Sequence, residues 1–307
     1  MYDMIGDIHG HADELVQLLE ALGYRRRGAS YAHADRKVIF LGDFIDRGPK
    51  IRAVLEIVRP MVEEHNALAV MGNHELNALG YHSEDPANPG AFLRPRTDKN
   101  LRQHRQTLEQ LKPADLQRYL EWFRTLPLWL DLDGIRVVHA CWDEQCMNSI
   151  DHALQHLDGL SLPFLQAAFN PGVPLFRAAE IVLKGKEAQL PNGLFFRDKE
   201  GCVRTEMRTR WYLSPDGQTY GSYALQTDPI DCHEKLAESV VAEAAPYPAA
   251  AKPVFVGHYW LSAKRPETLA DNVACLDYSV AKGGFLCAYR WHGEQTLKNE
   301  HFLRASS

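Results

Sequence analysis

Five short stretches of this chain place carboxylates and imidazoles where apolar runs stop. Asp7 and His9 stand in GDIHG, and Asp43, Asp46 and Arg47 in GDFIDRG. Asn73, His74 and Glu75 stand in GNHE, while His139 ends IRVVH and His258 ends PVFVGH. Asp7 and His9 are two apart at a strand end and so point to the same side. A carboxylate and an imidazole there make half of a metal site. Asp43 can bridge two ions with its two oxygens, Asn73 offers an amide oxygen, and His139 and His258 offer ring nitrogens. Oxygen and nitrogen donors without thiolate suit Mn, Fe, Zn, Co or Mg rather than a soft metal. Any one of these residues alone reads as a turn or cap residue. Six candidate ligands on five strand ends call for a different account. Two divalent ions with Arg47 would outweigh the charges of Asp7 and Asp43, so a phosphate dianion would be drawn in although the chain carries a formal −6. Two metals roughly 3.5–4 Å apart can generate hydroxide at neutral pH and clamp a phosphorus centre during in-line displacement.

The elements that must position these residues alternate at first. YDMIG (2–6), KVIFL (37–41) and ALAVM (67–71) read as strands. Between them, Leu15, Leu18, Leu19 and Leu22 recur at helical spacing, with Gly23 as the C-cap. Pro49 opens a second helix along Ile51, Val54, Leu55, Val58 and Val62, which Pro60 should kink or shorten. ELNALG begins a third helical turn. This order predicts a parallel sheet with right-handed crossovers, whose C-terminal strand ends form the ligand crevice. Tyr81 to Asn100 reads as loop, and Pro113 starts an amphipathic helix through Leu116, Leu120 and Phe123. PLWLDL and IRVVHA around Asp133-Gly134 read as a hairpin. Residues 145–250 read as helical at first, around Leu154, Leu157, Leu165 and Ala168, then mixed. They are expected to form a cap or insertion. PVFVGH, NVACLDY, GFLCAYRW and a stretch near Thr296–Phe302 read as strands. The whole is expected to be one domain over 1–307, with its core in 1–80, 127–144 and 252–303.

At 45% hydrophobic and 24% charged, the composition is that of an ordinary globular chain. Its acidic balance argues against a stable nucleic-acid partner or an anionic membrane surface. No apolar run approaches the roughly 18 residues that span a bilayer. MYDMIGDIHG carries neither a basic n-region nor an apolar h-region, so the expected location is the cytoplasm. The six cysteines form no C-x-x-C pair and read as reduced thiols.

GDIHG, GDFIDRG and GNHE resemble, without a substitution, the motifs of the calcineurin-like metallophosphoesterases, and within them the phosphoprotein-phosphatase-type branch. VVHA (137–140) and VFVGH (254–258) continue the resemblance more loosely. It implies an α/β fold, a β-sandwich flanked by helices in four α/β/β/α layers with a partly helical insertion. It also implies two divalent metal ions, manganese first, with Fe, Zn, Co, Mg or Ni as alternatives. Asp7, His9, Asp43 and His258 would hold one ion, and Asp43, Asn73 and His139 the other. His74 would be the general acid, Asp46 would hold it in its charged form, and Arg47 would grip phosphate oxygens. Glu75 reads as a helix N-terminal acid favoured by the dipole. The implied reaction is hydrolysis of phosphate esters by a metal-activated hydroxide. A phosphomonoester or phosphoprotein (Ser/Thr) substrate leads, and a dinucleoside polyphosphate or other nucleotide follows. A metal-binding scaffold without catalysis is the third reading, and intact His74 and Asp46 speak against it. Two stretches depart from the branch. His139 is followed by Ala140-Cys141-Trp142-Asp143 where the family has a Gly-rich turn. LDYSVAKGGFLCAYRW resembles the closing part of the symmetrical diadenosine-tetraphosphate hydrolases, but Tyr278-Ser279-Val280 replaces their Thr-Gly turn. A second phosphate-binding arginine is expected, with Arg177, Arg204, Arg208 and Arg210 as candidates.

Overall fold

The computed structural model describes residues 1–197, 201–225 and 230–305. Two sheets carry the architecture. In the first, Tyr2–Ile5 lies between Lys37–Phe40, which it pairs in parallel, and Phe285–Trp291, which it pairs antiparallel. Ala67–Ala69 extends the parallel side, while Asp277–Tyr278 and Phe302–Arg304 both pair with Phe285–Trp291. In the second, Val273–Cys275, Val254–Val256 and Arg136–Val138 run parallel, and Trp129–Asp131 closes the edge as the other arm of the expected hairpin.

Strand alternation explains the layers. Successive side chains point to opposite faces, so Met4, Ile39, Leu41 and Val70 of the first sheet meet Ile135, Val137, Phe255 and Ala274 of the second. Their neighbours Ile5, Val38 and Phe40 face outward instead. They join a cluster with Leu15, Leu18 and Leu19 of α1 (Ala12–Ala21) and Val54, Leu55 and Val58 of α2 (Ile51–Glu63). Val138, Val254 and Val256 belong to the same cluster as Ile150, Leu165 and Val182 on the opposite helical layer. The result is a helix, sheet, sheet, helix stack.

Several expectations shift. α2 begins at Ile51, after Pro49, and runs through Pro60 to Glu63. The ring leaves Glu56 O without its helical donor. Glu56 is exposed, so water can satisfy that oxygen, while Val54, Leu55, Val58 and Met61 keep the helix seated. α3 spans Asn73–His82. The stretch expected as loop to Asn100 holds no helix or strand from Ser83 to Thr97, and its last three residues open α4 (Asp98–Gln110), capped by the Thr97 hydroxyl, ahead of α5 (Pro113–Phe123). Near the C-terminus the strand is Phe302–Arg304, preceded by a short 3-10 turn over Asn299–His301, so Thr296 to Lys298 lie outside it.

The region 145–250 divides. α6 (Glu144–His156), α7 (Leu162–Ala168) and α8 (Pro174–Lys184) pack as the helical layer over the second sheet, and Ala140 and Cys141 N–H both donate to Val182 O. Glu187–Gln189 and Glu206–Arg208 then pair as a short ribbon. It has its own small core of Ala188, Leu190, Met207, Tyr220, Tyr223 and Leu236. Cys141, Cys146, Cys232, Cys275 and Cys287 are free thiols, and among the described residues no helix is long and apolar enough to cross a membrane.

Candidate metal centre

The C-terminal ends of Tyr2–Ile5, Lys37–Phe40, Ala67–Ala69, Arg136–Val138 and Val254–Val256 converge, bringing Asp7, His9, Asp43, Asn73, His139 and His258 together. All six are buried. The turns that follow these strands are unusually strained. His9, Asp43, Asp46, Arg47, His258 and Trp260 all have positive φ, between 43° and 69°. Left-handed non-glycine residues cost energy and collect where surrounding structure enforces them. Two glycines explain the close approach. A Cβ on Gly72 would lie 2.2 Å from Asp43 Oδ1, and one on Gly257 would lie 2.0 Å from Asp7 Oδ1. The glycines therefore make room for the carboxylates themselves.

Asp43 sits at the middle. Its Oδ1 accepts the His74 backbone N–H at 2.9 Å. Its Oδ2 lies 3.5 Å from His9 Nε2 and 3.4 Å from His139 Nε2. Both rings are aimed from behind, with His9 Nδ1 at 2.9 Å from Ile45 O and His139 Nδ1 at 2.7 Å from Leu41 O. A carbonyl only accepts, so Nδ1 carries a hydrogen in both rings. Neutral His9 thereby presents its Nε2 lone pair inward, and His139 would do so once its Nε2 proton is given up to a metal. Asn73 Oδ1 faces His139 Nε2 at 3.1 Å and His258 Nδ1 at 2.8 Å. The His258 ring thus stands on the Asn73–His139 side, although its backbone N–H bonds Asp7 Oδ2 at 3.0 Å. Asp7 Oδ1, His9 Nε2 and His258 Nε2 are buried with no hydrogen-bond partner. Buried polar atoms are almost always satisfied. Two of these atoms belong to Asp7 and His9, whose ligand atoms gather around Asp43, and unsatisfied electron-pair donors beside a carboxylate are what a cation site looks like from the protein side. Two overlapping sets, His9–Asp43–His74 and Asp7–Asp43–His139, each bring their ligand atoms within 4.8 Å of one another.

The electrostatics follow from burying these groups together. Burial and the charge of Asp277 push the Asp7 carboxyl well above its usual range. Burial acts on Asp43 in the same direction, yet His139 and His74 hold it well below. Burial and neighbouring His74 lower His9 to about 3. For His139 burial is outweighed by Asp43, and its pKa is pushed up to about 10.

Glu75 proves to be more than a dipole-favoured acid. Oε2 accepts the N–H groups of Asp43 at 2.8 Å and Gly72 at 3.0 Å, while Oε1 accepts those of Phe44 at 2.9 Å and Ile45 at 3.4 Å. It braces the turn that carries Asp43. Burial and Asp43 push its pKa up to about 7. Four N–H donors nevertheless need both oxygens as acceptors, so the ionised form is the one that fits.

The second layer holds His74. Its Nδ1 lies 2.6 Å from Asp46 Oδ2. Asp46 Oδ1 receives His104 Nδ1 at 2.7 Å and the Thr107 hydroxyl at 2.5 Å, and Thr107 Oγ1 in turn accepts the Asp46 N–H at 3.0 Å. Although burial opposes it, these bonds from His104 and His74 keep the Asp46 carboxyl far below its usual range. Arg47 is half-buried with its guanidinium 4.3 Å over the Trp260 ring. His104, Thr107 and Trp260 were not singled out from the sequence. The only available signal was the i, i+3 spacing of His104 and Thr107. Asp277 was missed as well. It accepts the Trp260 N–H at 2.6 Å and the Ser279 N–H at 2.9 Å. Ser279 holds φ 58° at the turn where the resemblance expects glycine, and these bonds support it there. Of the four candidate arginines, Arg208 lies beside the centre, with Nη1 at 3.5 Å from His258 O. Arg177 pairs with Glu243 and Arg210 bonds Ala224 O and Tyr212, both away from it. Arg204 lies on an exposed short strand.

Residues 3–182 match the family described as Calcineurin-like phosphoesterase. Asymmetrical bis(5′-nucleosyl)-tetraphosphatase PrpE of Halalkalibacterium halodurans is 45% identical over 74 residues, which are 24% of this chain and 30% of that protein. Its counterpart from Oceanobacillus iheyensis is 30% identical over 139 residues, 45% of this chain and 54% of that one. The matched segments thus span about half, or less, of these curated relatives. Among solved structures, a cold-active protein-tyrosine phosphatase of a psychrophilic Shewanella superposes with a TM-score of 0.50 at 16% identity. That match covers 94% of this chain and 75% of that one, a likeness of fold alone.

Proposed function

The chain belongs to the calcineurin-like phosphoesterase family, and on that premise we propose that it hydrolyses phosphate esters at a dinuclear divalent-metal centre. The observation that carries this reading is the set of buried, unsatisfied donor atoms around Asp43. Asp7, His9 and Asp43 would hold one ion, and Asp43, Asn73, His139 and His258 the other. His258 Nδ1, 2.8 Å from Asn73 Oδ1, supports grouping it with Asn73 and His139 rather than with Asp7 and His9. When bound, the ions supply Lewis acidity toward phosphoryl oxygens and make water a nucleophile at neutral pH. Manganese is the metal proposed first.

The chain's own residues do the rest. Arg47 presents a planar fork to the phosphoryl oxygens, kept in place by the Trp260 face. His74 gives a proton from Nε2 to the leaving oxygen while Nδ1–H stays bonded to Asp46. Asp46 is a positioning residue, fixed by His104 and Thr107. Arg208, beside His258, is the second arginine best placed for a phosphate oxygen.

Two substrate classes remain in play. A phosphomonoester or phosphoprotein is the reading that intact DRG and GNHE favour. A dinucleoside polyphosphate is the reading supported by the names of the PrpE relatives. Turnover of a phosphoserine peptide, diadenosine tetraphosphate and 4-nitrophenyl phosphate with Mn²⁺ separates them. Hydrolysis of none under any divalent metal would favour a metal-binding scaffold instead.

A further inference from the structure

Arg94 is a half-buried cation without a counter-charge. It lies in the connection between α3 and α4, and its guanidinium is held by three amide oxygens. Nη1 donates to Asn77 Oδ1 at 2.7 Å, and Nη2 donates to Asn100 Oδ1 at 3.0 Å and Gln103 Oε1 at 2.9 Å. Among the described residues no carboxylate pairs with it, and Nε and one Nη1 hydrogen have no acceptor. The carboxylates that act on it from a distance, Asp46 and Glu180, are both engaged. Asp46 is held by His74, His104 and Thr107, and Glu180 by Lys184. Arginine removed from water is ordinarily matched with a carboxylate or left in solvent. Neutral amides aim this one and leave its charge unspent.

Its place gives that charge a use. Gln103, having given Oε1 to Arg94, points its Nε2–H at His74 Nε2, 3.3 Å away, a contact in which the imidazole nitrogen accepts and which must part before that nitrogen acts as an acid. That nitrogen is the one from which a proton would pass to the leaving oxygen, so Arg94 stands one side chain, Gln103, beyond it.

We propose that Arg94, aimed by Asn77, Asn100 and Gln103, is a phosphate subsite for the leaving group, selecting substrates whose leaving group is itself a phosphate or polyphosphate. This rests on the phosphoesterase reading and deepens it. A neutral seryl leaving group offers Arg94 nothing, whereas a polyphosphate leaving group offers acceptor oxygens to the open guanidinium hydrogens.

The test compares wild type, Arg94→Ala and Arg94→Lys on diadenosine tetraphosphate and 4-nitrophenyl phosphate with Mn²⁺, alongside calorimetric titration with tripolyphosphate. Losing a charge-assisted contact should lower the polyphosphate-to-aryl ratio of kcat/KM by about 10-fold to 100-fold in Arg94→Ala, through KM, and weaken tripolyphosphate binding similarly. Arg94→Lys should fall between, because it keeps the charge and loses the fork. Should Arg94→Ala fail to fold, judged by its melting curve, Arg94→Lys is read in its place. An equal loss on both substrates would make Arg94 a staple acting through Gln103 and overturn the subsite, as would an unchanged ratio. If wild type hydrolyses neither compound, nor a phosphoserine peptide under any divalent metal, the phosphoesterase reading fails, and tripolyphosphate binding alone decides the subsite. Weakening by the substitution sustains it, and unchanged binding removes it.

Discussion

Glu75→Gln is the substitution that most directly probes how the turn around Asp43 is held. In the parent, two carboxylate oxygens accept four backbone N–H groups. Glutamine keeps one carbonyl oxygen, so one pair of N–H groups stays bonded at roughly half strength. The other pair meets an NH₂ group, which can only donate. Each N–H stranded there, fully buried, costs about 1–3 kcal/mol. Relief from burying a charge offsets part of this, since burial with Asp43 pushes the Glu75 pKa up to about 7. The expected net loss is about 3 kcal/mol, of the order of a large single-site effect. Urea denaturation in chelator, at a pH above 7.5 where the parent carboxylate is ionised, reads it as a fall in midpoint at constant slope. A variant within about 0.5 kcal/mol of the parent would mean that the turn does not depend on those bonds.

Other substitutions probe the groups around His74. His74→Ala should slow hydrolysis of alkyl phosphates far more than of aryl phosphates with acidic leaving groups, by the 10²-fold to 10⁴-fold typical of a lost general acid. Equal slowing on both would remove that role. His82 lies 3.1 Å from His104 through their Nε2 atoms, and burial, His104 and Arg96 lower its pKa to about 4, with Asp46 opposing. Its folded-state pKa is below the unfolded value near 6.5, so the unfolded chain binds the extra proton first. The His82 contribution to stability is therefore intact above pH 6.5 and lost as pH falls toward 4. His82→Gln should flatten the pH dependence of the urea midpoint across that window. An unchanged profile would place the titrating group elsewhere.

Most of the site was readable because its candidate ligands follow strands, and strands have a short period. Each of the five polar strand ends was preceded by an apolar run, and their convergence follows from parallel strands in two stacked sheets, three ends from the first and two from the second. Aligned motifs then carried the resemblance. What escaped reading was held by α4. Its sequence, DKNLRQHRQTLEQ, has only two leucines, and its buried residues are His104 and Thr107 rather than an apolar stripe. Hydrophobic periodicity cannot reveal a helix whose inward face is polar and serves another residue's carboxylate. Arg94 was hidden for a related reason, since a cation aimed by distant amides leaves no local pattern. Pro60 misled in the opposite direction. A proline inside a helix is tolerated when the orphaned carbonyl faces water, and exposure of Glu56 is a tertiary fact.

The central claim is that Asp43 joins two metal ions, and metal stoichiometry tests it without reference to any substrate. Elemental analysis of the purified chain after equilibration with Mn²⁺ and removal of free ion should find two equivalents per wild-type chain. Asp43→Asn replaces the carboxylate proposed to serve both ions by a neutral amide and should retain close to none. Two tightly held ions in Asp43→Asn, at the wild-type level, would contradict the account.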